Sequence, residues 1–223
     1  MTMVLAYTWK NKAVVRADSR EHAHNDKGEI VSYNDDQEKI IPAQNHLVFA
    51  HAGLRKVHLG ESRYFDNSQI TEYFIEQNQS VLSNFTSEQL LNELVTMWNR
   101  TLREKLGRDP FSVHNRFSIL FARFENDNGV SKPKIHTYQS HFQEFQYGGR
   151  KAIVGDDECY PIIMPYFQMD TDDWTFDETL EFYLRGFAEV TEKVETIGGE
   201  IDIFVLDENP ECSHWFKRKT ITR

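Results

Sequence analysis

An α+β fold, with antiparallel sheets covered by helices, is what this sequence predicts. Three observations carry that expectation. Apolar runs of strand length and amphipathic runs of helix length come in blocks, in the order strands, two helices, strands, two helices, strands. Segregated blocks favour antiparallel sheets with helices packed outside them over an alternating parallel sheet. Two of the helices also announce their starts. Thr86-Ser87-Glu88-Gln89 and Thr175-Phe176-Asp177-Glu178 each place an acid or amide three residues after a threonine, so that side chains satisfy the free N–H groups of a first turn. Each start leads into a one-sided apolar stripe: Leu90, Leu91, Leu94, Met97, Trp98 and Leu102 in one, Phe176, Leu180, Tyr183, Leu184, Phe187, Val190 and Val194 in the other. Stripes of that spacing suit packing on a sheet.

Taken in order, Val4–Tyr7 and Ala13–Ala17 are apolar runs of strand length, with a turn at Lys10-Asn11-Lys12. The polar stretch 18–37 is expected to be a loop with a short strand at 29–33. Strands follow at Lys39–Pro42 and His46–Ala50, closed by Ala52-Gly53. A first helix spans 69–77 behind Ser68. The second ends at Gly107 and Pro110, residues that stop helices. Further strands are expected at 116–124, 134–138, 142–145 and 151–154, then a short helix at 160–166. The last long helix breaks at Gly198-Gly199, and strands follow at 201–206 and 215–221.

The chain has 223 residues, 39% hydrophobic and 13% aromatic, enough for one sizeable core, and a single domain spanning 1–223 is expected. The aromatic share suggests large side chains packed between layers. A net charge of −10 argues against nucleic-acid binding, which needs clustered Lys and Arg. No apolar run is long enough to cross a bilayer, and the first residues lack the basic and small-residue features of a secretory leader. A cytoplasmic location without membrane association is therefore expected. Cys159 and Cys212 have no metal or redox spacing. His22 and His24, with Asp18 and Asp26, are metal-ligand types, but they sit in a polar stretch with no distant His or Cys pair, so no metal site is expected.

Four segments carry a more specific message. Thr2 follows Met1, so loss of Met1 would expose its amine. Ala17-Asp18-Ser19-Arg20 ends the second strand. Glu38-Lys39-Ile40-Ile41 opens the third and leads to Leu47-Val48-Phe49-Ala50-His51-Ala52-Gly53-Leu54. Glu195-Thr196-Ile197-Gly198-Gly199-Glu200-Ile201-Asp202 joins the last long helix to a late strand. In this order and at this Thr2-to-Asp18 distance, the segments resemble the proteasome β-subunit family, within the N-terminal-nucleophile hydrolases and including their bacterial homologues. The resemblance covers most of the chain in element order and rests on few residues.

It implies a four-layer αββα sandwich and a threonine-type peptidase or amidohydrolase that works through an acyl-enzyme. Thr2 would be the nucleophile, with Asp18, Lys39 and Glu195 as its catalytic partners. The chemistry of those residue types agrees. A threonine hydroxyl needs a base, and an α-amine with a pKa of ~7.7–8.0 is partly neutral at pH 7. A nearby Lys39 ammonium would lower the amine and hydroxyl values by like-charge repulsion, and Asp18 would hold that lysine. The loop Val154-Gly155-Asp156-Asp157 takes the place of the family's oxyanion segment, so Gly155 and Asp156, with Arg20, His51 and Gly53, are the candidate oxyanion and substrate-binding residues. The family implies a peptide or amide substrate, a homo-oligomer such as a ring, and no cofactor.

The sequence departs from the family where Asp156 and Asp157 replace small uncharged residues and where Gly198 replaces a serine. Those departures keep a second reading open: a catalytically silent, proteasome-like scaffold or binding protein. Asp18 as a turn cap, Lys39 as a surface ion-pair partner of Asp35 or Asp36, and His51 as a structural histidine are the plain alternatives for single residues.

Overall fold

A computed structural model describes residues 2–24, 30–43, 47–53, 56–58, 64–66, 68–107 and 116–217. Strands β1 (Met3–Trp9) and β2 (Lys12–Asp18) form the expected hairpin. A two-stranded ribbon of β3 (Glu21–His24) and β4 (Ile30–Asn34) follows, then β5 (Ile40–Ala43), β6 (Leu47–Gly53), β7 (Lys56–His58) and β8 (Tyr64–Asp66). Helices α1 (Ser68–Asn78) and α2 (Ser87–Leu106) precede β9 (Phe117–Asp127), β10 (Val130–Gln139), β11 (Glu144–Gly149) and β12 (Lys151–Gly155). Helices α3 (Tyr160–Gln168) and α4 (Phe176–Lys193) lead to β13 (Ile201–Asp207) and β14 (His214–Lys217). Residues 218–221, expected to extend the last strand, lie outside the described residues, as does His46.

Two five-stranded antiparallel sheets result, ordered β12-β1-β2-β13-β14 and β11-β10-β9-β6-β5. Both capping boxes form. The Thr86 and Thr175 hydroxyls accept from the N–H groups of Gln89 and Glu178, whose side chains accept from the threonine N–H in return.

Strand alternation sorts the core by side-chain size. On β1, Met3, Leu5 and Tyr7 join residues of α3, α4 and β13, including Ile163, Tyr183 and Phe187. On β6 and β9, Leu47, Phe49, Phe117, Ile119 and Phe121 join the α1 and α2 stripe around Phe74, Leu94 and Trp98. The intervening residues, Val4, Ala6, Val48, Ala50, Ala52, Leu120 and Ala122, meet with residues of both sheets in a third cluster. Most aromatics are therefore on the helix-facing sides, and the cluster shared by the two sheets is built mainly from Ala and Val. Short side chains there let the sheets approach closely, and close-packed interiors leave no room for larger ones.

Three departures from the sequence expectation are local. The stretch 18–37 holds a ribbon rather than a loop with one strand. Segments at 56–58 and 64–66 are strands. Strands β9 and β10 are longer than expected and join directly through Asn128-Gly129, both at positive φ, the signature of a tight hairpin.

His136, on β10, has a testable electrostatic consequence. It is buried and stacks on Phe121, with ring centroids 4.6 Å apart. Nδ1 accepts from Gly148 N–H at 3.3 Å, so the neutral ring carries its proton on Nε2, 3.1 Å from Glu125 Oε1. Burial pushes its pKa down to about 4, outweighing the upward pull of Glu125. The unfolded chain therefore takes up a proton that the fold excludes. Stability should fall as pH drops from ~6.5 towards 4, by at most about 3 kcal/mol. Urea midpoints measured across that range should show the decline, and His136→Gln should remove this part of the slope. An unchanged slope would contradict the assignment.

Candidate active site

The β1–β2 hairpin sets the first relationship. Its register, with Val4 opposite Ala17, brings the start of β1 beside the end of β2. Asp18 Oδ1 accepts from Met3 N–H at 2.9 Å and from Lys39 Nζ at 3.0 Å. Its Oδ2 accepts from Arg20 N–H at 3.2 Å and from Gly198 N–H at 3.4 Å. The Asp18 and Lys39 side chains are 0% and 4% exposed. Four donors offset the desolvation of a carboxylate that buried.

Lys39 reaches this point from the other sheet, just ahead of β5. Its ammonium also donates to the Arg20 carbonyl at 2.6 Å, and its own carbonyl accepts from His51 N–H at 3.1 Å. One carboxylate thus ties β1, β2, the start of β5 and the loop after α4 together.

Thr2 is buried and faces the end of β12. Gly155 stands opposite Met3 and has φ +138°; a Cβ there would lie 1.8 Å from the Thr2 carbonyl oxygen. Only glycine allows the two backbones to come this close. The next N–H, that of Asp156, donates to the Thr2 carbonyl at 3.0 Å. The Asp156 carboxylate caps the following 3-10 turn by accepting from Glu158 N–H at 3.1 Å, and it accepts from the Thr196 hydroxyl at 2.5 Å. The nearby Cys159 thiol is buried, and its pKa is raised first by burial and then by the charges of Asp156 and Asp18.

The remaining sequence candidates fall in different places. The Arg20 guanidinium makes a two-point contact with Asp35, at 2.8 and 3.1 Å, donates to the Glu195 carbonyl at 3.0 Å and lies over the Tyr33 ring. It also fills the space above Gly198, where a Cβ would be 2.5 Å from Arg20 Cζ. A side chain at this position, where the resembling family often has serine, would require the Arg20 guanidinium to shift. Glu195 is exposed, and its carboxylate accepts from the Tyr33 hydroxyl at 2.9 Å. It serves the β3–β4 ribbon rather than sharing the hydrogen bonds around residues 2, 18 and 39. His51 supports Lys39 through its backbone, while its ring meets Thr71 at 3.0 Å and the edge of Trp98 on the helix side. Gly53 ends β6 opposite Phe117. Met1 lies outside the described residues.

Sequence reasoning missed Thr196, Tyr33 and Asp35. Nothing local to Thr196 marks its hydroxyl as the partner of Asp156, 40 residues away. Among the described residues, no group of three or more His, Cys, Asp or Glu is placed to hold a metal ion, and no helix is long and apolar enough to cross a membrane.

Two antiparallel sheets with flanking helices thus carry a buried Asp–Lys pair beside the start of β1. The chain is similar in structure to Anbu of Hyphomicrobium sp. strain MC1, solved as its Gly-1 mutant. The TM-score is 0.63 at 15% sequence identity, over 93% of this chain and 82% of that one. The sequence matches no established family pattern, and no curated protein matches it.

Proposed function

We propose that this protein is a threonine-type peptidase or amidohydrolase, cytoplasmic and homo-oligomeric, whose nucleophile is Thr2 once Met1 has been removed. The observation that carries this reading is the Asp18 carboxylate, shared between the N–H that follows Thr2 and the Lys39 ammonium. The three clusters of buried residues support a four-layer αββα sandwich formed as one domain over 1–223.

In this mechanism the free Thr2 amine takes the proton of its own hydroxyl as Oγ1 attacks the substrate carbonyl carbon. Lys39, held by Asp18, keeps the amine less basic through like-charge repulsion. The protonated amine then passes that proton to the departing nitrogen, the C–N bond breaks, and an ester to Thr2 remains. Water, deprotonated by the same amine, cleaves the ester and restores the hydroxyl. Gly155 and Gly53 end β12 and β6, and backbone donors at these strand ends would stabilise the oxyanion, with Arg20 and His51 as the proposed substrate-binding residues. The Asp156 N–H is already committed to the Thr2 carbonyl.

Protein processed to Thr2 should form a single adduct with an epoxyketone or β-lactone probe, and Thr2→Ala should abolish it. Labelling that survives this substitution would place the nucleophile elsewhere. A second reading, a silent scaffold, is favoured by the buried Asp156 carboxylate, because an anion in this loop opposes a developing oxyanion. An intact mass that retains Met1 in protein from its native host, with no labelling, would select it.

A further inference from the structure

Two buried carboxylates lie close to the start of β1, and only one of them has a cation. Asp18 is paired with Lys39. Asp156, 2% exposed, receives two neutral donors, the Glu158 N–H and the Thr196 hydroxyl; among the described residues no Lys, Arg or His pairs with it. A carboxylate this buried without a counter-charge is costly. One step beyond the Met3–Gly155 pair, Asp156 stands opposite Thr2, and its N–H donates to the Thr2 carbonyl. Directly opposed residues of an antiparallel pair have Cβ atoms ~4.5–5.5 Å apart.

We infer that Asp156 is the positioning residue for the Thr2 amine, its carboxylate supplying the counter-charge for the ammonium that appears when Met1 is removed. This inference rests on the hydrolase reading above. It assigns the amine's acidic partner to the end of β12 rather than to Glu195, whose carboxylate is exposed and engaged by Tyr33. The Thr196 hydroxyl, donated to Oδ2, fixes the carboxylate from the far side.

The charged and titratable groups around the amine act in opposite directions. Lys39, arriving ahead of β5, disfavours its protonation. Asp18 from β2 and Asp156 from the end of β12 favour it. Cys159, in the turn after β12, stays a neutral thiol. Asp18 is largely offset by its own lysine, so Asp156 is the charge that moves the amine's pKa upward. An aspartate, with its carboxylate fixed by the 3-10 turn and Thr196, therefore occupies the place of a small residue for an electrostatic reason.

The test is the pH dependence of probe labelling at Thr2. Asp156→Asn keeps the side-chain shape and the acceptor for Glu158 N–H while removing the charge; its NH2 group would donate to the Thr196 oxygen in place of accepting from it. The amine should then lose its proton more easily, and the acid limb of the labelling rate should move down by about one pH unit. Asp156→Ser, which retains a helix-capping oxygen, should show the same shift and guards against a folding defect in the first variant. Wild-type protein that labels at Thr2, with the limb unmoved in both variants, overturns this inference and leaves the hydrolase reading standing. An acid limb moved by Glu195→Gln instead also overturns it. Processed wild-type protein that never labels overturns the hydrolase reading itself.

Discussion

Lys39→Met is expected to lower the unfolding free energy by about 3–5 kcal/mol and to abolish labelling of Thr2. The substitution leaves Asp18, whose side chain is fully buried, with backbone donors and no cation. Removing one partner of a buried pair costs much more than the net worth of the pair, because the remaining charge stays desolvated. Two losses should therefore appear together: a lower denaturant midpoint and a Thr2 hydroxyl that no longer reacts. Lys39 also donates to the Arg20 carbonyl, so the backbone between β2 and β3 should exchange its amide hydrogens faster. A variant within about 1 kcal/mol of wild type would show that the pair behaves as an ordinary surface ion pair.

Gly155→Ala is expected to be comparably severe, at about 3 kcal/mol or more, from two independent causes. The residue sits at φ +138°, and the added methyl would fall 1.8 Å from the Thr2 carbonyl oxygen. Neither atom is the flexible end of a side chain, so β12 must separate from β1 to admit it. The hydrogen bond from Asp156 N–H to the Thr2 carbonyl would break with that movement. Thermal unfolding and probe labelling should both report it, and labelling should fall even well below the melting transition, because Thr2 is displaced in the folded protein. Wild-type labelling in a merely destabilised variant would show that the close approach does not position Thr2.

Much of the secondary structure was legible because its signals are local. The capping boxes at Thr86 and Thr175 and the apolar stripes behind them depend on residues within one or two turns. The β1–β2 hairpin is marked by two apolar runs on either side of Lys10-Asn11-Lys12. Of the β3–β4 ribbon only β4 was legible, as the short strand expected at 29–33; its partner β3 was not. The run Ile30, Val31 and Tyr33 marks a strand although it is exposed, whereas Glu21-His22-Ala23-His24 has no apolar alternation to mark its partner. Tyr33 is held instead by Glu195, 162 residues later. Apolar runs such as Leu47–Ala50 announce burial on both faces, but not which face meets a helix and which the other sheet.

By itself the sequence determined the order of the main strand and helix blocks, the starts of the two long helices and the antiparallel class, and it offered a short set of candidate site residues. That Asp18 pairs with Lys39 beside the start of β1, that Glu195 accepts from Tyr33 of a peripheral ribbon, that Arg20 lies over Gly198 and that Asp156 N–H donates to the Thr2 carbonyl were decided only by the tertiary structure. The physical reason is one of range. Caps and amphipathic stripes act over a few residues of chain. The environment of a buried charge depends instead on which distant strand, with which register, is brought within hydrogen-bond reach of it.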